Sequence, residues 1–506
     1  MENYISYDLG TGGVKASLFD ENLKVLANSF IEYETTYPLQ NYHEQAPEDW
    51  WKGIIQSTRI LLEKTKVNPA HIVSLAVCGH SLVTVPIDAE GKELVDRVPI
   101  WSDTRAGTEA ESFFRRFDEK EWYMTTGNGF PAPCYSIFKL MWLKKHKPEI
   151  YNRTYKVLGS KDYINYRLTG KIYTDYSYAS GIGAYDLKAK GISPGILQAA
   201  EIRKDIFPEI VSSHTVLGTL LPAAAAQLGL TCGTKVACGG VDNACMALGS
   251  VGNEEGRVYT SLGSSSWIAV NSKEPVLDFD KKPYVFAHID EEIYTSAFSI
   301  FAGGSSLRWV RDNLCRDLLE EADTYEAMTE EIKKVPIGSG GVLFNPSLAG
   351  GTSQDRSVNI RGAFLGLSLS AGRAELIRAA MEGIAMNLKI SLDNLKEHTC
   401  LNDQIQFCGG GAKNKVWMQM FADIFNMNIV KTNIDQNAAS IGAAAIAAKA
   451  VGKIQDYGMI RELHVKEFEC TPEIHNVDLY KKLQKVFLHT TIALSDLGDY
   501  MKENSL

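Results

Sequence analysis

A strand, a glycine-rich turn and a second strand open this chain, and the same pattern returns in its second half. Tyr4-Ile5-Ser6-Tyr7 runs through Asp8-Leu9-Gly10-Thr11-Gly12-Gly13-Val14-Lys15 into Ala16-Ser17-Leu18-Phe19-Asp20. The flanks are β-prone, and a turn built from glycines and Thr11 leaves its backbone N–H groups clear to converge on an anion. The echo is Val258 to Leu262, then Gly263-Ser264-Ser265-Ser266, then Trp267 to Val270. Alone, either segment also reads as an ordinary glycine-rich hairpin. Together they predict two similar half-molecules facing each other, with a nucleotide able to lie between them. No short period recurs, which argues against a solenoid or propeller.

Size supports two halves, because 506 residues exceed what one hydrophobic core serves. Strands alternating with helices predict an α/β protein. Residues 1–249 form the first expected domain and 256–455 the second, with Gly249 to Gly256 as linker. Residues 456–506 are expected to be a C-terminal extension carrying an amphipathic packing helix with Leu479, Leu483, Val486, Phe487, Leu494 and Leu497 at helical spacing. Ala438 to Ala448 is too short and too interrupted for a bilayer span, so it reads as a buried helix and no membrane partner is expected. The N-terminus enters a strand directly, without a basic or cleavable apolar leader. The nine cysteines contain no C-x-x-C pair, which points to reduced thiols, to no structural zinc and to the cytoplasm. A net charge of −9 with no Lys/Arg cluster argues against nucleic acid as a partner.

Three glycine-rich strand ends carry the chemistry. Asp8 closes the first strand, where a metal–nucleotide needs a hard oxygen ligand beside amides for its phosphates. The strand at Val236-Ala237-Cys238 ends in Gly239-Gly240-Val241-Asp242-Asn243, and a helix follows from Ala244. Asp242 reads either as an N-cap or as an ionised proton acceptor for a substrate hydroxyl, kept charged by the helix terminus. Strand Gln404 to Cys408 ends in Gly409-Gly410-Gly411, and helix Lys413 to Phe425 follows. That triplet is either a tight strand-to-helix turn or a surface on which a flat ring lies.

With those residues in place, the chain resembles the FGGY carbohydrate kinases of the actin-like ATPase superfamily. Gly240-Val241-Asp242-Asn243-Ala244 resembles the family's catalytic G-x-D-N-A segment, and Gly409 to Trp417 its adenosine loop and helix. Cys134 to Leu143 nearly meets one family signature, departing at Cys134, and Gly362 to Glu382 meets the other. The resemblance implies two actin-like (RNase H-like) ATPase domains with a cleft between them, a sugar or polyol on the first and ATP with Mg²⁺ mainly on the second, and a plausible homodimer. It implies Asp242 as general base and Asp8 as metal ligand. Thr11, Gly12, Gly13, Lys15, Gly263, Ser264, Ser265, Gly303, Gly410, Gly411, Ala412 and Asn414 would bind the nucleotide. On the sugar side it implies His80, Ser81, Leu82, Trp101, Asp103, Arg105 and Asp242. Leu82 falls where xylulose kinases carry a histidine. His80 either substitutes for that histidine or is structural, and Trp101 either faces the sugar or is core. A ketopentose such as D-xylulose is the expected substrate, with ribulose, gluconate or erythritol as alternatives, and a non-catalytic sugar- and nucleotide-binding regulator as the reading from another class.

Overall fold

The computed structural model describes residues 2–504. Its framework is one sheet topology built twice. The first sheet contains β1 (Asn3–Leu9), β2 (Gly13–Phe19), β3 (Val25–Glu32), β4 (Ile72–Gly79), β5 (Val216–Thr219) and β6 (Lys235–Val241), in the order β5-β6-β4-β1-β2-β3. The second contains β7 (Val258–Leu262), β8 (Ser266–Ser272), β9 (Tyr284–Ala287), β10 (Tyr294–Ile300), β11 (Gln404–Cys408), β12 (Asn428–Thr432) and β13 (Lys466–Cys470), in the order β9-β10-β8-β7-β11-β12-β13. In each, an antiparallel hairpin (β1-β2, β7-β8) joins two parallel strands (β4 and β6, β11 and β12), and an antiparallel strand closes the far edge. The two expected halves are thus present.

Helices cover the sheets, and two of them cross between the lobes. We name α1 (Pro47–Thr65), α2 (Asp242–Val251), α3 (Gly303–Leu314), α4 (Arg373–Lys396), α5 (Lys415–Phe425), α6 (Ala438–Ala450) and α7 (Ile474–Glu503). Pro47 with Glu48 and Asp49 starts α1, where a missing N–H costs nothing and acids meet the helix dipole. Helix α6 follows β12 of the second sheet yet packs on β1, β4 and β6 of the first, while α2 follows β6 and touches β7 and β11. Ala438 through Ala448 are all buried, as a helix apolar on every side must be. The two helices meet backbone to backbone. A Cβ on Gly442 would sit 2.1 Å from the Cys245 carbonyl oxygen, and one on Gly249 would sit 1.8 Å from that of Ala438. Strand β1, buried on both faces between α1 and α6, therefore lacks the polar alternation of the edge strand β3.

Several sequence expectations change here. Gly249, assigned to a linker, lies inside α2 at this helix contact, and the turn follows Val251. The segment from residue 456 supplies β13, the edge of the second sheet, before α7 begins. The last two glycines of the triplet lie in a short 3₁₀ turn, Gly410–Lys413, that precedes α5, whose N-cap is Asn414. Among the described residues no helix is long and apolar enough to cross a membrane.

Candidate active site

The first glycine turn is held from behind and open in front. Tyr33 donates to the Gly10 carbonyl, Gln45 Nε2 donates to the Thr11 carbonyl at 2.7 Å, and Trp101 Nε1 donates to Thr11 Oγ1 at 2.8 Å. The two adjacent glycines do different work. A Cβ on Gly13 would lie 2.5 Å from the Ile31 carbonyl oxygen, whereas one on Gly12 would meet nothing within 4 Å. Gly13 therefore serves the packing of β2 on β3, and Gly12 borders free space. Lys15 spans the lobes, its Nζ donating to the Gln436 carbonyl at 2.7 Å and to the Asn437 side chain at the start of α6.

Asp8 and Asp242 share this space. Burial raises the Asp8 carboxyl, with the Cys78 thiol at 3.4 Å and Lys15 acting in the opposite sense. Burial also raises Asp242, and the Asp8 charge raises it further, to about 7, against the pull of the Asn243 N–H that donates to Oδ1 at 2.8 Å. The helix terminus was expected to keep this carboxylate ionised, but desolvation and a like charge outweigh it. The result is a carboxyl whose proton affinity lies near neutral pH, raised by burial first and by the Asp8 charge second. A β-bulge aims it. The β4–β6 register shifts between Ala237 and Gly240, and Gly239 takes φ +74°, where a Cβ would lie 2.0 Å from the Val77 carbonyl oxygen.

The residues expected to form the sugar site have different surroundings. His80 is buried, its Nδ1 lies 3.1 Å from the Leu9 carbonyl oxygen, and its Nε2 has no partner among the described residues. Burial pushes its pKa down to about 4, so the ring is neutral and ties the end of β4 to the glycine turn. Leu82 is buried with φ +64°, and its carbonyl accepts from Lys139 Nζ at 2.9 Å. Its Cδ2 lies 3.4 Å, and the Tyr284 hydroxyl 3.5 Å, from where a Cβ on Gly181 would stand. Trp101 is exposed rather than core. Asp103 is fully buried, and its oxygens accept from the backbone of His43 and Arg105 and from the Arg105 guanidinium at 2.7–3.0 Å. Arg105 also pairs with Glu44 at 2.7 Å and lies 3.9 Å over the Tyr42 ring. Those groups leave Asp103 no acceptor facing outward, so the pair braces the loop that carries Trp101.

The second lobe holds a cavity of about 540 Å³. Gly263, Ser264, Gly410, Gly411 and Asn414 line it, and so do Arg308, Tyr325 and Glu326, which the sequence reading did not single out. A Cβ on Gly410 would meet nothing within 4 Å, while one on Gly411 would lie 2.6 Å from Leu262 Cδ2. Ala412 is buried, which limits it to a backbone role, and Ser265 is exposed beside Ser264. Gly303 has a packing role, because a Cβ there would stand 2.0 Å from Ser266 Oγ. Its neighbours Gly304 and Ser305 donate their N–H groups to the Gly263 and Ser264 carbonyls at 2.9 Å, fastening α3 to the second turn. Arg308 and Tyr325 reach the cavity from helices remote in sequence, and no local pattern marks them. Tyr284 is similar, reaching from β9 into the first lobe's core.

Each lobe carries a glycine-rich turn, and the buried carboxyls Asp8 and Asp242 lie where two strands of the first lobe end, an arrangement that suits phosphoryl transfer between two lobes. Residues 3–249 match the N-terminal domain, and residues 258–451 the C-terminal domain, of the FGGY family of carbohydrate kinases. The chain is 32% identical over 508 residues to the xylulose kinase of Bacillus subtilis (strain 168), covering 99% of each chain. It is 28% identical over 510 residues to the gluconokinase of the same organism, covering 98% of each. The crystal structure of ligand-bound xylulose kinase from Lactobacillus acidophilus superposes with a TM-score of 0.90 at 25% identity, covering 98% of this chain and 99% of that one. The chain belongs to the FGGY family of carbohydrate kinases, with that family's actin-like ATPase fold.

Proposed function

We propose that this kinase transfers the terminal phosphoryl group of ATP to a hydroxyl of a small neutral ketose, a ketopentose such as D-xylulose, with Asp242 accepting the hydroxyl proton. The observation that carries the reading is the buried Asp8–Asp242 pair, with Asp8 in the strand that leads into the first glycine turn. As the substrate oxygen bonds to phosphorus and the bond to the leaving ADP breaks, the hydroxyl proton passes to the Asp242 carboxylate. The amides around Gly12 and around Ser264 would face where phosphate charge gathers, the Gly263 N–H being used by the Ser265 carbonyl at 3.1 Å, and positioning with charge neutralisation is most of what phosphoryl transfer needs. The residues present suit a magnesium ion. Among the described residues the Asp8 side chain has one hydrogen-bond partner, the Cys78 thiol, and no group of three protein ligands forms a closed metal cage. Asp8 would hold the ion while phosphates and water complete its shell, and the ion would supply charge neutralisation.

A neutral sugar is favoured over a sugar acid by the charges near the site. Asp8 and Asp242 repel a carboxylate. The cations of the surrounding segments are already engaged: Lys15 by Gln436 and Asn437, Arg105 by Asp103 and Glu44, and Lys139 by the Leu82 and Ile100 carbonyls. Relatives named xylulose kinase support the ketopentose, and those named gluconokinase define the competitor. The test is ATP consumption across D-xylulose, D-ribulose, D-gluconate, erythritol and glycerol. D-xylulose should give the highest kcat/KM, with gluconate at least about tenfold lower, the scale of one lost charged contact. Preference for gluconate would overturn the neutral-sugar reading, and no turnover with any of the five would favour a binding protein.

A further inference from the structure

Behind the proton acceptor lies a sealed polar network that the transfer step does not touch. Lys161 is fully buried, 2.6 Å from Asp162 Oδ1 and 3.0 Å from Asp175 Oδ1. Burial works against its charge, and the two carboxylates outweigh burial. Asp175, also fully buried, accepts from Ser177 Oγ at 2.5 Å, from Ser213 Oγ at 2.8 Å, and from the backbone N–H groups of Ser177 and Tyr178 at 3.0 and 3.3 Å. Ser177 Oγ in turn accepts the Val241 N–H at 2.9 Å. Val241 is the last residue of the bulged strand β6 and immediately precedes Asp242.

We infer that Asp175 and Ser177 are positioning residues that fix the direction of one hydroxyl proton and thereby hold the corner from which Asp242 reaches the substrate, an inference that rests on Asp242 as proton acceptor. A carboxylate can only accept, so the Ser177 proton must point to Asp175 and a lone pair is left for Val241 N–H. Lys161 and the Tyr178 N–H occupy one carboxylate oxygen, and the two serines the other. An amide at position 175 would turn an NH₂ group toward donors on one side or the other. Facing Ser177, it would reverse the hydroxyl and set O–H against the Val241 N–H. The same segment also grips the sugar-side corner, because Ser160 Oγ and the Tyr178 hydroxyl donate to the His80 carbonyl at 2.8 and 3.1 Å. The ends of β4 and β6 are therefore registered against one buried scaffold. Tight packing leaves little slack, since a Cβ on Gly240 would lie 3.1 Å from Ser177 Oγ.

The test compares Asp175→Asn, Ser177→Ala, the double variant and Asp242→Asn in the full-length protein, with the ADP-binding fraction counted by calorimetry. Each single variant should lower kcat about 10- to 100-fold per ADP-binding molecule, the scale of a small misplacement of a reacting group, with KM for ATP within about threefold of parent. The double variant should be no more than about threefold slower than the slower single one, because the two act as a unit. Parental kcat in both single variants, with Asp242→Asn inactive, would overturn the positioning role and leave Asp242 in place. A loss of kcat matched by an equal loss of ADP-binding molecules would assign the network to folding alone and also overturn it. Parental turnover in Asp242→Asn would remove both readings.

Discussion

The two lobes share a topology but present different chemistry at matching places. The end of β4 in the first lobe carries Gly79-His80-Ser81-Leu82, and the matching end of β11 in the second carries Gly409-Gly410-Gly411. The first corner is filled by side chains, with a neutral buried histidine, a leucine in left-handed backbone and a sealed ion-pair network behind it. The second is nearly bare and borders a cavity of about 540 Å³. A small polyol needs many close, fixed contacts, whereas a purine ring needs a flat open surface. The helices that follow β6 and β12 differ in the same sense. Helix α2 begins with Asp242, the proposed proton acceptor, while α6 begins just after Asn437, which receives Lys15 from the opposite lobe. The duplicated scaffold supplies two similar frames, and the residues at four strand ends make them differ in the sense that the proposed sugar and nucleotide sites require.

The largest expected effect separates fold from function within one turn. Gly12→Val adds a side chain where a Cβ meets open space, so the protein should fold while kcat/KM for ATP falls about 100-fold or more through lost phosphate stabilisation. Gly13→Val should instead reduce soluble protein, because its Cβ would strike the Ile31 carbonyl. Equal ATP kinetics in Gly12→Val would show that the first turn does not face phosphate. Next, the pH profile of kcat/KM for sugar should lose about tenfold per unit on the acid side of a midpoint near the Asp242 value of about 7, since the acceptor must be deprotonated. A flat profile from pH 5 to 8 would contradict this. A smaller effect is expected at the second lobe. Gly410→Val should raise KM for ATP about fivefold and leave KM for sugar unchanged, because that glycine borders the nucleotide cavity.

The last effect concerns stability. The Asp242 pKa is raised on folding, so its favourable contribution is complete below about pH 4 and lost as pH rises through about 7. At pH 8 the ionised group therefore opposes folding, and Asp242→Asn should stabilise the protein by about 1–3 kcal/mol, with little gain at pH 4. Denaturant titrations at the two pH values would check the sign. A variant less stable at pH 8 would place Asp242 in a structural role.

Glycine turns and strand ends were legible because they are local. The hairpin at Asp8 to Phe19, the strand Gln404–Cys408 and the buried helix from Ala438 could each be read from a few consecutive residues. The strands Tyr284–Ala287, Tyr294–Ile300, Asn428–Thr432 and Lys466–Cys470 were missed, because none carries an alternating pattern: the first pairs only with the second as a hairpin, and the others are held as strands by partners remote in sequence. The same distance hid Tyr284, Arg308 and the Asp175–Ser177 pair. Asp103 shows the reverse case. An aspartate beside a tryptophan read as a hydroxyl acceptor, and burial against Arg105 used its oxygens internally.

The central claim is that one carboxylate between the two turns takes the substrate proton while the nucleotide is held elsewhere. Turnover of Asp242→Asn with its best sugar, measured beside ADP affinity on the same protein, tests this directly. A kcat reduced at least about 100-fold with ADP affinity within about threefold of parent is the expected result. Near-parental turnover at undiminished nucleotide affinity would contradict the account.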